Sequence, residues 1–390
     1  MRIVVLGGAG MMGCIAVQDL ARSAGVDEVV IADLNRERAR EVADYLGSSK
    51  VSIQAVDVRD HEALVALLRG ADCCLNATVY YANLEVMGAC LEAGAHYTDL
   101  GGLFHTTLKQ LQLHEQFKAV GISAVLGMGS APGVPNVQAR YAADRLDSID
   151  TIHIYDGIKP PPPDVVAFTY AVPTIIDELT QQPMVYRDGQ FLPCEPLSEF
   201  EDYWFTPPLG LLPMHLSLHS EVATLPVSFK HKGVRECFFK INYWGMAPKT
   251  VEKVKVLADL GFAGREPVQI RETAVVPREL MVALMGGYVP PITSFLAPPQ
   301  NEPPDWSKEI VTEVRGTRYG QPVTYRLGTL TLKGALPTGV APSIAAQFLA
   351  AGEVEPGVHP PEMALDPGPF FRQLEQRGIR TQVTVTEMLG

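Results

Sequence analysis

The chain has 390 residues, which is long for a single hydrophobic core and predicts two domains. Its net charge is −12 at pH 7 and it has no basic run, which argues against binding to nucleic acid, because a phosphate backbone requires clustered Lys and Arg. The apolar run near the N-terminus is too short for a signal peptide, and no stretch approaches the ~20 apolar residues of a membrane span. We therefore expect a cytoplasmic protein without a membrane segment.

Strand and helix patterns alternate over the first 130 residues. Short apolar runs rich in β-branched residues predict strands, and segments with apolar residues at helical spacing predict helices. The predicted strands cover 3–7, 29–33, 51–57, 73–78, 96–102 and 122–129, and the predicted helices cover 11–24, 35–46, 61–70, 84–94 and 106–119. Continuous apolar strands separated by helices predict a doubly wound parallel sheet of the Rossmann type.

The pattern changes near residue 150. The run KPPPP (159–163) is a break, because consecutive prolines continue neither a helix nor a central strand. Strand-like segments then alternate with helices, and the tail is helical. The strand-like segments are 215–229, 235–244 and 309–334 (a hairpin around Tyr319–Pro322), the helices are 249–260 and 277–285, a surface loop is 298–306, and the helical tail lies within 338–390.

This organisation predicts an α/β fold class: a Rossmann-type doubly wound parallel sheet with an inserted α+β domain that carries a mostly antiparallel sheet. We place the first domain at 1–148 and the inserted domain, expected to serve substrate binding and dimerisation, at 149–336. The remaining segment, 337–390, is expected to pack back on the first domain.

Residues 5–13, VLGGAGMMG, contain a glycine motif between the first predicted strand and the first predicted helix. Its spacing, Gly8-x-Gly10-x-x-Gly13, is that of a dinucleotide-binding turn. Gly8 permits the tight turn, Gly10 lets the backbone approach a diphosphate, and Gly13 lets the helix lie close to the strand. The N–H groups of Met11 and Met12 then point towards the diphosphate at the helix N-terminus. The alternative is a capping loop without a ligand.

A carboxylate at the end of the second predicted strand supports the cofactor interpretation. Asp33 lies 20 residues after Gly13, where the ribose hydroxyls are expected. It favours NAD over NADP, because a carboxylate repels a 2′-phosphate. Arg36 and Arg38 follow directly and could pair with a 2′-phosphate, so NADP stays possible.

Further polar side chains follow the next predicted strands, at the edge where ligands bind in an open α/β sheet. Asp57 is placed to lie near the adenine and Asn76 near the nicotinamide ribose, although either could be a plain strand-end cap. Tyr80 and Tyr81 follow the fourth strand. They could pack on the nicotinamide, bind a substrate carboxylate, or only pack within the protein.

Three loops at this edge are rich in glycine, proline and aromatic residues: NATVYYAN (76–83), YTDLGGLFH (97–105) and GMGSAPGVPN (127–136). YTDLGG, followed about 27 residues later by GSAPGVPN under an N-terminal GGAGMMG, resembles the saccharopine dehydrogenase family, and within it the lysine 6-dehydrogenase-like branch. The resemblance implies a Rossmann domain, an inserted substrate domain, a C-terminal segment that packs back and a homodimer. It also implies NAD(P)-dependent oxidation of a carbon that bears nitrogen.

Such an oxidation moves a hydride from the C–H beside an amine to the nicotinamide, and it leaves an imine for water to hydrolyse. The amine must be neutral, so a general base is needed beside it. We predict that Asp99, on the loop after the fifth strand, binds or deprotonates the amine. Tyr81 and His105 are further catalytic candidates. Asp99 could instead cap the following helix, and a single His is often structural.

The candidates for contact with the substrate come from the glycine-rich loops and from the inserted domain. Gly102 allows close approach of the substrate, and Pro132 and Gly133 lie in the loop GMGSAPGVPN. His219 is the predicted contact from the inserted domain. Other residues considered there are Ser220, Thr224, Arg235 and Lys240, the last two as cations for a substrate carboxylate.

The sequence thus predicts an NAD(P)-dependent dehydrogenase with a small amine or amino-acid substrate. The alternative is a Rossmann protein that holds NAD(P) without turnover. A short-chain-dehydrogenase-like enzyme on sugars would need a Tyr-x-x-x-Lys pair on a helix, and no predicted helix carries one. The six cysteines lack C-x-x-C spacing and do not combine with the nine histidines at metal-ligand spacing, so we expect free thiols and no metal site.

Overall fold

The computed structural model describes residues 1–159, 170–285, 290–297 and 307–387. Within the predicted proline break only Lys159 is described, and the predicted loop 298–306 lies outside the described residues. In the described part of the chain, two large sheets account for most strands, and helices cover the first sheet on both faces.

The strands are numbered in chain order. They are β1 (Arg2–Leu6), β2 (Glu28–Ala32), β3 (Val51–Gln54), β4 (Cys73–Asn76), β5 (His96–Asp99), β6 (Ser123–Val125), β7 (Ser148–Ile158), β8 (Met184–Arg187), β9 (Gln190–Pro193), β10 (Glu201–Trp204), β11 (Leu211–Leu216), β12 (Glu236–Ile241), β13 (Val268–Ile270), β14 (Thr273–Val275), β15 (Lys308–Arg318), β16 (Gln321–Thr331), β17 (Gly357–His359) and β18 (Arg380–Glu387).

The helices are numbered in the same way. They are α1 (Gly13–Arg22), α2 (Arg36–Leu46), α3 (His61–Leu68), α4 (Asn83–Ala93), α5 (Leu103–Leu111), α6 (His114–Val120), α7 (Val134–Ala143), α8 (Val172–Thr180), α9 (Glu221–Ser228), α10 (Pro248–Leu257), α11 (Pro277–Met285), α12 (Thr293–Leu296), α13 (Leu336–Ala350), α14 (Pro361–Ala364) and α15 (Pro367–Gln376).

The first sheet is parallel throughout and has the order β17-β6-β5-β4-β1-β2-β3. Its central strands are buried on both faces, as their unbroken runs of Val, Ile and Cys require. Helices α1, α2 and α13 cover one face, and α3, α4 and α6 cover the other. The predicted doubly wound Rossmann sheet is therefore confirmed, and the carboxyl ends of its strands lie at one edge.

The second sheet has the order β10-β11-β12-β7-β15-β16-β18, with β8 and β9 attached beside β12. The β7–β12 pair is parallel and the remaining pairs are antiparallel, so the expected mostly antiparallel sheet is confirmed. The predicted hairpin is β15–β16. Its turn is formed by Tyr319 and Gly320, both with positive φ (53° and 77°), as a two-residue hairpin turn demands.

The two faces of the second sheet have different surroundings. Ile154 and Phe239 lie on the inner face, where they share one core with Leu103 and Phe104 of α5 and with residues of α7, α8 and α9. Tyr155 and Phe238 occupy the adjacent positions, so they point to the outer face, where they pack with β11. The inner face is thus the one turned towards the first sheet.

The C-terminal segment contributes to both sheets. Helix α13 packs against α1, β17 pairs with β6 of the first sheet, and β18 pairs with β16 of the second.

In the residues that the structure describes, no helix is long and apolar enough to cross a membrane.

The strand predicted at 215–229 is wrong, because β11 ends at Leu216 and residues 221–228 form α9. Every residue from Glu221 to Pro226 is buried, so the segment lacks the polar face that marks a helix in a sequence. The helix predicted over 106–119 is divided into α5 and α6.

Helix α13 packs closely on α1, the helix that follows the glycine motif, at Gly339. A Cβ there would lie 2.5 Å from Ile15 Cβ and 2.8 Å from Met12 O. We expect Gly339→Ala to lower the free energy of unfolding by about 1–3 kcal/mol, because overpacking forces the helices apart. Thermal and urea unfolding measure it. The matched control is Gly88→Ala in α4, where a Cβ would meet nothing within 4 Å and the change should be neutral or stabilising. Equal effects of the two substitutions would contradict the prediction.

Candidate active site

The glycine turn joins β1 to α1 at the carboxyl edge of the first sheet. Gly7 has a φ of 68°, so Gly7, rather than Gly8 as expected, is the left-handed residue of the turn. A Cβ on Gly8 would lie 2.9 Å from Val5 O, and one on Gly13 would overlap Gly7 O. Both positions therefore need glycine for close packing. Gly10 is exposed and Met11 and Met12 are half-buried, so the turn presents its backbone to solvent.

Asp33 supports this turn from the end of β2. Its Oδ2 accepts a hydrogen bond from Ala9 N at 3.0 Å and its Oδ1 accepts one from Asn35 N at 2.9 Å. Arg38 donates to Pro290 O at 2.7 Å and pairs with Glu41, whereas Arg36 is exposed. Contact of Asp33 and Arg36 with a cofactor stays a prediction.

The other predicted cofactor residues have protein partners. Asp57 makes a bidentate ion pair with Arg59, whose hydrogen bonds lower the pKa of Asp57 to about 2. Tyr80 donates its hydroxyl to Asp177 of α8 at 2.9 Å, which links the first sheet to the inserted part of the chain. Asn76 is buried, and its amide bonds to Thr78, Asn83 and Tyr97.

Asp99 lies at the centre of a buried group of polar side chains that we call the loop network: Asn76, Asn83, Tyr97, Asp99 and Gln110. The carboxylate is 0% exposed and accepts five hydrogen bonds. Two of them come from backbone N–H groups, Gly101 at 2.9 Å and Gly127 at 2.7 Å. Burial raises the pKa of Asp99, although its donors act to lower it. This geometry ties together the loops that follow β5 and β6.

The glycines of these loops are needed for packing around the same network. A Cβ on Gly102 would overlap Gln110 Oε1, and one on Gly101 or Gly127 would lie within 3.0 Å of the Pro132 ring. Gly133 has a φ of 116° and donates to Asn136 Oδ1 at 3.0 Å. The contacts of Gly102, Pro132 and Gly133 with a substrate stay predictions.

The remaining catalytic candidates lie apart from this network. Tyr81 is 55% exposed beside Tyr80, and its ring meets the Tyr80 ring edge-on. His105 is exposed on α5 and lies edge-on to Phe104. Their catalytic roles stay predictions.

The inner face of the second sheet carries three buried carboxylates that we call the acidic cluster: Asp156 of β7, Glu178 of α8 and Glu221 of α9. Asp156 Oδ2 pairs with Lys308 at 2.8 Å, and Glu178 accepts from the Tyr170 hydroxyl at 2.7 Å. Asp156 Oδ1 and Glu221 Oε1 have no hydrogen-bond partner among the described residues. Burial raises the pKa of Asp156, and Lys308 opposes the rise.

His219 joins this cluster directly. Its Nδ1 lies 2.5 Å from Glu221 Oε2, and its ring stacks on Phe239 with centroids 3.8 Å apart. The next residue, Ser220, reaches the loops of the first sheet: its Oγ lies 3.8 Å and 3.7 Å from where Cβ atoms on Gly101 and Gly127 would be. The structure therefore brings Ser220 near the carboxyl edge of the first sheet, and His219 is its neighbour in the chain; contact of His219 with a substrate stays a prediction.

The two cations suggested for a substrate carboxylate lie elsewhere. Lys240 points to the outer face, where it bonds to Glu201 at 2.6 Å, and Arg235 is 70% exposed beside Asp150 and Asp188. Thr224 is buried near Asn136. Sequence reasoning missed Asp156, Glu178 and Lys308. The available signal was a carboxylate inside the apolar run IHIYDGI, because a buried Asp in a strand requires a partner.

Neither a metal site nor a helical Tyr–Lys pair is found in the part of the chain that the structure describes. Tyr155 and Lys159 have the spacing Tyr-x-x-x-Lys, but Tyr155 belongs to strand β7, which ends at Ile158. In an extended strand, residues four apart are ~13 Å apart, which is too far for a joint proton relay. Five of the six cysteines are buried, and all six are free thiols.

The first sheet is a Rossmann sheet with a dinucleotide turn, and the inner face of the second sheet is turned towards the first. This arrangement is that of a nicotinamide-dependent dehydrogenase. Two family models match: the saccharopine dehydrogenase NADP binding domain over residues 3–125 and the saccharopine dehydrogenase C-terminal domain over residues 129–379. The chain belongs to the saccharopine dehydrogenase family. It is an NAD(P)-dependent oxidoreductase that acts at an amine-bearing carbon.

Curated relatives match along nearly the whole chain. Carboxyaminopropylagmatine dehydrogenase of Synechocystis sp. is 25% identical over 400 aligned positions, covering 96% of both chains. Carboxynorspermidine synthase of Vibrio cholerae is 25% identical and covers 97% of this chain and 96% of the relative. Saccharopine dehydrogenase (L-Glu forming) of Saccharomyces cerevisiae has the same fold, with a TM-score of 0.67, 16% identity and 99% coverage of both chains.

The loop network predicts a structural effect of substitution at Asp99. We expect Asp99→Asn to lower the free energy of unfolding by at least ~2 kcal/mol, because its NH₂ would face N–H donors and leave a buried donor unsatisfied. Chemical unfolding measures the loss, alongside turnover. Asp60→Asn, at the exposed N-cap of α3, is the control and should cost about 1 kcal/mol or less. Loss of turnover with unchanged stability would instead support the catalytic role first predicted for Asp99.

Asp33 predicts the preference between the two nicotinamide cofactors. Asp33→Asn keeps an acceptor oxygen but removes the charge that repels a 2′-phosphate. We expect the ratio of the Kd values for NADPH and NADH to fall about tenfold, equivalent to ~1.4 kcal/mol. Fluorescence titration with each cofactor measures it. Asp44→Asn, near the far end of α2, removes the same charge and should leave the ratio unchanged. An unchanged ratio in Asp33→Asn would contradict the prediction.

Proposed function

We propose that this enzyme oxidises an amino-acid-derived secondary amine that carries additional positive charge, and that NAD(P)⁺ accepts the hydride. The observation that carries the proposal is the acidic cluster on the inner face of the second sheet. One of its carboxylates, Glu221, directly follows Ser220, whose Oγ lies 3.8 Å and 3.7 Å from where Cβ atoms on Gly101 and Gly127 would be, in the loops at which a nicotinamide is expected.

The charge balance of the cluster favours a cationic ligand. Among the described residues, Lys308 pairs with Asp156, whereas the partner of Glu221 is the ring of His219, which carries no charge when its Nδ1–H donates to Glu221. Buried carboxylate oxygens without partners are costly, and a bound ammonium or guanidinium would satisfy them. A polyamine chain supplies several such groups away from any carboxylate, whereas a neutral amino acid supplies only its α-ammonium group, which stands beside its own carboxylate.

The relatives support the same substrate class. The Synechocystis relative is named for carboxyaminopropylagmatine and the Vibrio relatives for carboxynorspermidine. Both names join a carboxyl group to a polyamine-type chain. We therefore favour a carboxylated polyamine over lysine, the substrate type implied by the lysine 6-dehydrogenase-like branch.

Within this proposal the predicted site residues take different roles. The turn of Gly8, Gly10 and Gly13 and the carboxylate of Asp33 hold the cofactor. NAD is our first choice because of Asp33, and NADP fits the family. Asp99 is a positioning residue, because each of its oxygens already accepts hydrogen bonds from the loops it holds.

Location in the cytoplasm and assembly as a homodimer are also proposed. The dimer is supported by the family resemblance and by exposed apolar side chains at the β10 edge of the second sheet: Phe200, Trp204 and Leu211.

The absorbance of NAD(P)H at 340 nm tests the proposal. Carboxyaminopropylagmatine, carboxynorspermidine, saccharopine and lysine are each offered with NAD⁺ and with NADP⁺. We expect the highest kcat/KM with a carboxylated polyamine. Cofactor binding without turnover of any of the four would instead support the alternative, a Rossmann protein that holds NAD(P) without catalysis.

Asp156→Asn tests the acidic cluster itself. We expect KM for the carboxylated polyamine to rise about tenfold, with kcat changed less than about threefold, because a binding interaction common to ground and transition states is lost. Steady-state kinetics measure it. Glu236→Gln is the control, because it removes a half-buried carboxylate from the outer face. Equal changes in the two variants would contradict recognition by the cluster.

A further inference from the structure

His219 and Glu221 form a dyad whose geometry goes beyond substrate contact. A carboxylate only accepts, so Glu221 Oε2, 2.5 Å from Nδ1, fixes the proton of a neutral ring on Nδ1. The ring is also held parallel to Phe239, with an interplanar angle of 6°. A His whose Nδ1–H is held by a carboxylate presents Nε2 as a proton acceptor, as in general-base pairs of other enzymes.

The dyad occupies the right place for such a role. Glu221 is fully buried, whereas His219 keeps 8% exposure. Ser220, between them, lies near the loops of Gly101 and Gly127, because its Oγ is 3.8 Å and 3.7 Å from where Cβ atoms on these glycines would be; Asp99 holds both loops at the carboxyl ends of β5 and β6. In open α/β sheets, ligands bind outside these strand ends.

Burial and the neighbouring charges act on the pKa of His219 in opposite directions. Burial alone would lower the pKa of His219, but the charge and hydrogen bond of Glu221 outweigh it and raise that pKa above 6.5. Glu178 and Asp156 raise it further. A proton acceptor works best when its pKa lies near the working pH. The titratable groups that face the dyad are Asp156 of β7, Glu178 of α8, Cys237 of β12 (towards Glu221) and Lys308 of β15 (through Asp156).

We propose that His219, held by Glu221, is the general base that takes the proton from the substrate amine. This inference rests on the proposed function. His219 Nε2 accepts a proton from the protonated amine, which frees the nitrogen lone pair. The lone pair forms the C=N bond while the C–H electron pair and its hydrogen leave as hydride to NAD(P)⁺. For a secondary amine the product of this step is an iminium ion; water adds to its carbon, both water protons pass to the nitrogen, and the carbonyl product and the shorter amine, as its ammonium ion, are released. In the reductive direction, the imidazolium returns the proton.

The protein contains a second stacked His–Glu pair, His153 and Glu236, which does not lie near the strand ends of the first sheet. His153 stacks on Phe238 with centroids 4.0 Å apart, and its Nε2 lies 2.9 Å from Glu236 Oε2. Both histidines are 8% exposed, and Phe238 and Phe239 are neighbours on β12. His153, however, lies on the outer face, away from the first sheet. A structural role of a stacked His–Glu pair would be shared by both, whereas catalysis would be confined to His219.

His219→Asn is the main test, because an Asn amide can still donate to Glu221 while the acceptor Nε2 is lost. With the best amine of the four offered above, we expect kcat to fall at least about 100-fold. NAD(P)H binding and the melting temperature should stay close to those of the wild type. His153→Asn, the control, should keep kcat within about twofold of wild type. A kcat for His219→Asn within about threefold of wild type overturns the inference.

Glu221→Gln gives a second readout, which serves even where His219→Asn fails to fold. Gln keeps an acceptor for Nδ1–H but removes the charge that raises the pKa of His219. Because protonated His219 cannot accept a proton, oxidation by the wild type should lose kcat as the pH falls through that pKa. The acidic limb of the kcat–pH profile should move to lower pH in Glu221→Gln. An unmoved limb overturns the inference, whereas a wild type that oxidises no amine contradicts the proposed function instead.

Discussion

The active edge of this enzyme depends on one buried carboxylate. Asp99 accepts hydrogen bonds from two loop backbones and three side chains, and it has no exposed surface. The loops after β5 and β6 carry glycines that pack against Pro132, so they have few side-chain contacts of their own to hold them in place. A charged acceptor supplies that restraint, since hydrogen bonds to an ionised group are stronger than neutral ones. Ser220, which stands between His219 and Glu221 in the chain, lies near the glycines of these two loops.

Much of the first sheet could be predicted from the sequence, because its strands are short, apolar and separated by helices. The glycine motif also predicted the turn that joins β1 to α1. The second sheet was harder to predict. Helix α9 was taken for a strand because burial on every side removes the 3.6-residue pattern. The sequence placed Asp99 at the end of β5, but a sequence does not show how many donors surround a carboxylate, and the predicted contact of Asp99 with an amine stays a prediction. Asp156 and Glu178 were missed because they come near His219 only when β7 and α8 pack around it.

The second sheet separates two tasks by the alternation of its side chains. Lys240, His153 and Tyr155 point outwards. Glu201 pairs with Lys240 and accepts from the Tyr155 hydroxyl, and Glu236 bonds to the His153 ring. Asp156 and Phe239 point inwards, beside His219 and the first sheet. A one-residue change of register in β12 would exchange the two sets, so the pairing with β7 over six residues fixes the chemistry of the site as well as the fold.

The chain passes between the two sheets three times: before β7, after β16 and after α15. Strand β17 completes an edge of the first sheet and β18 completes an edge of the second. Neither sheet is therefore built from one contiguous segment of the chain, and recombination at a single point in the gene could not transfer either sheet whole. A new substrate unit can be acquired by this architecture only as an internal insertion that leaves all three crossings intact. Replacement of loops or side chains on the inner face of the second sheet, by contrast, leaves all three crossings as they are.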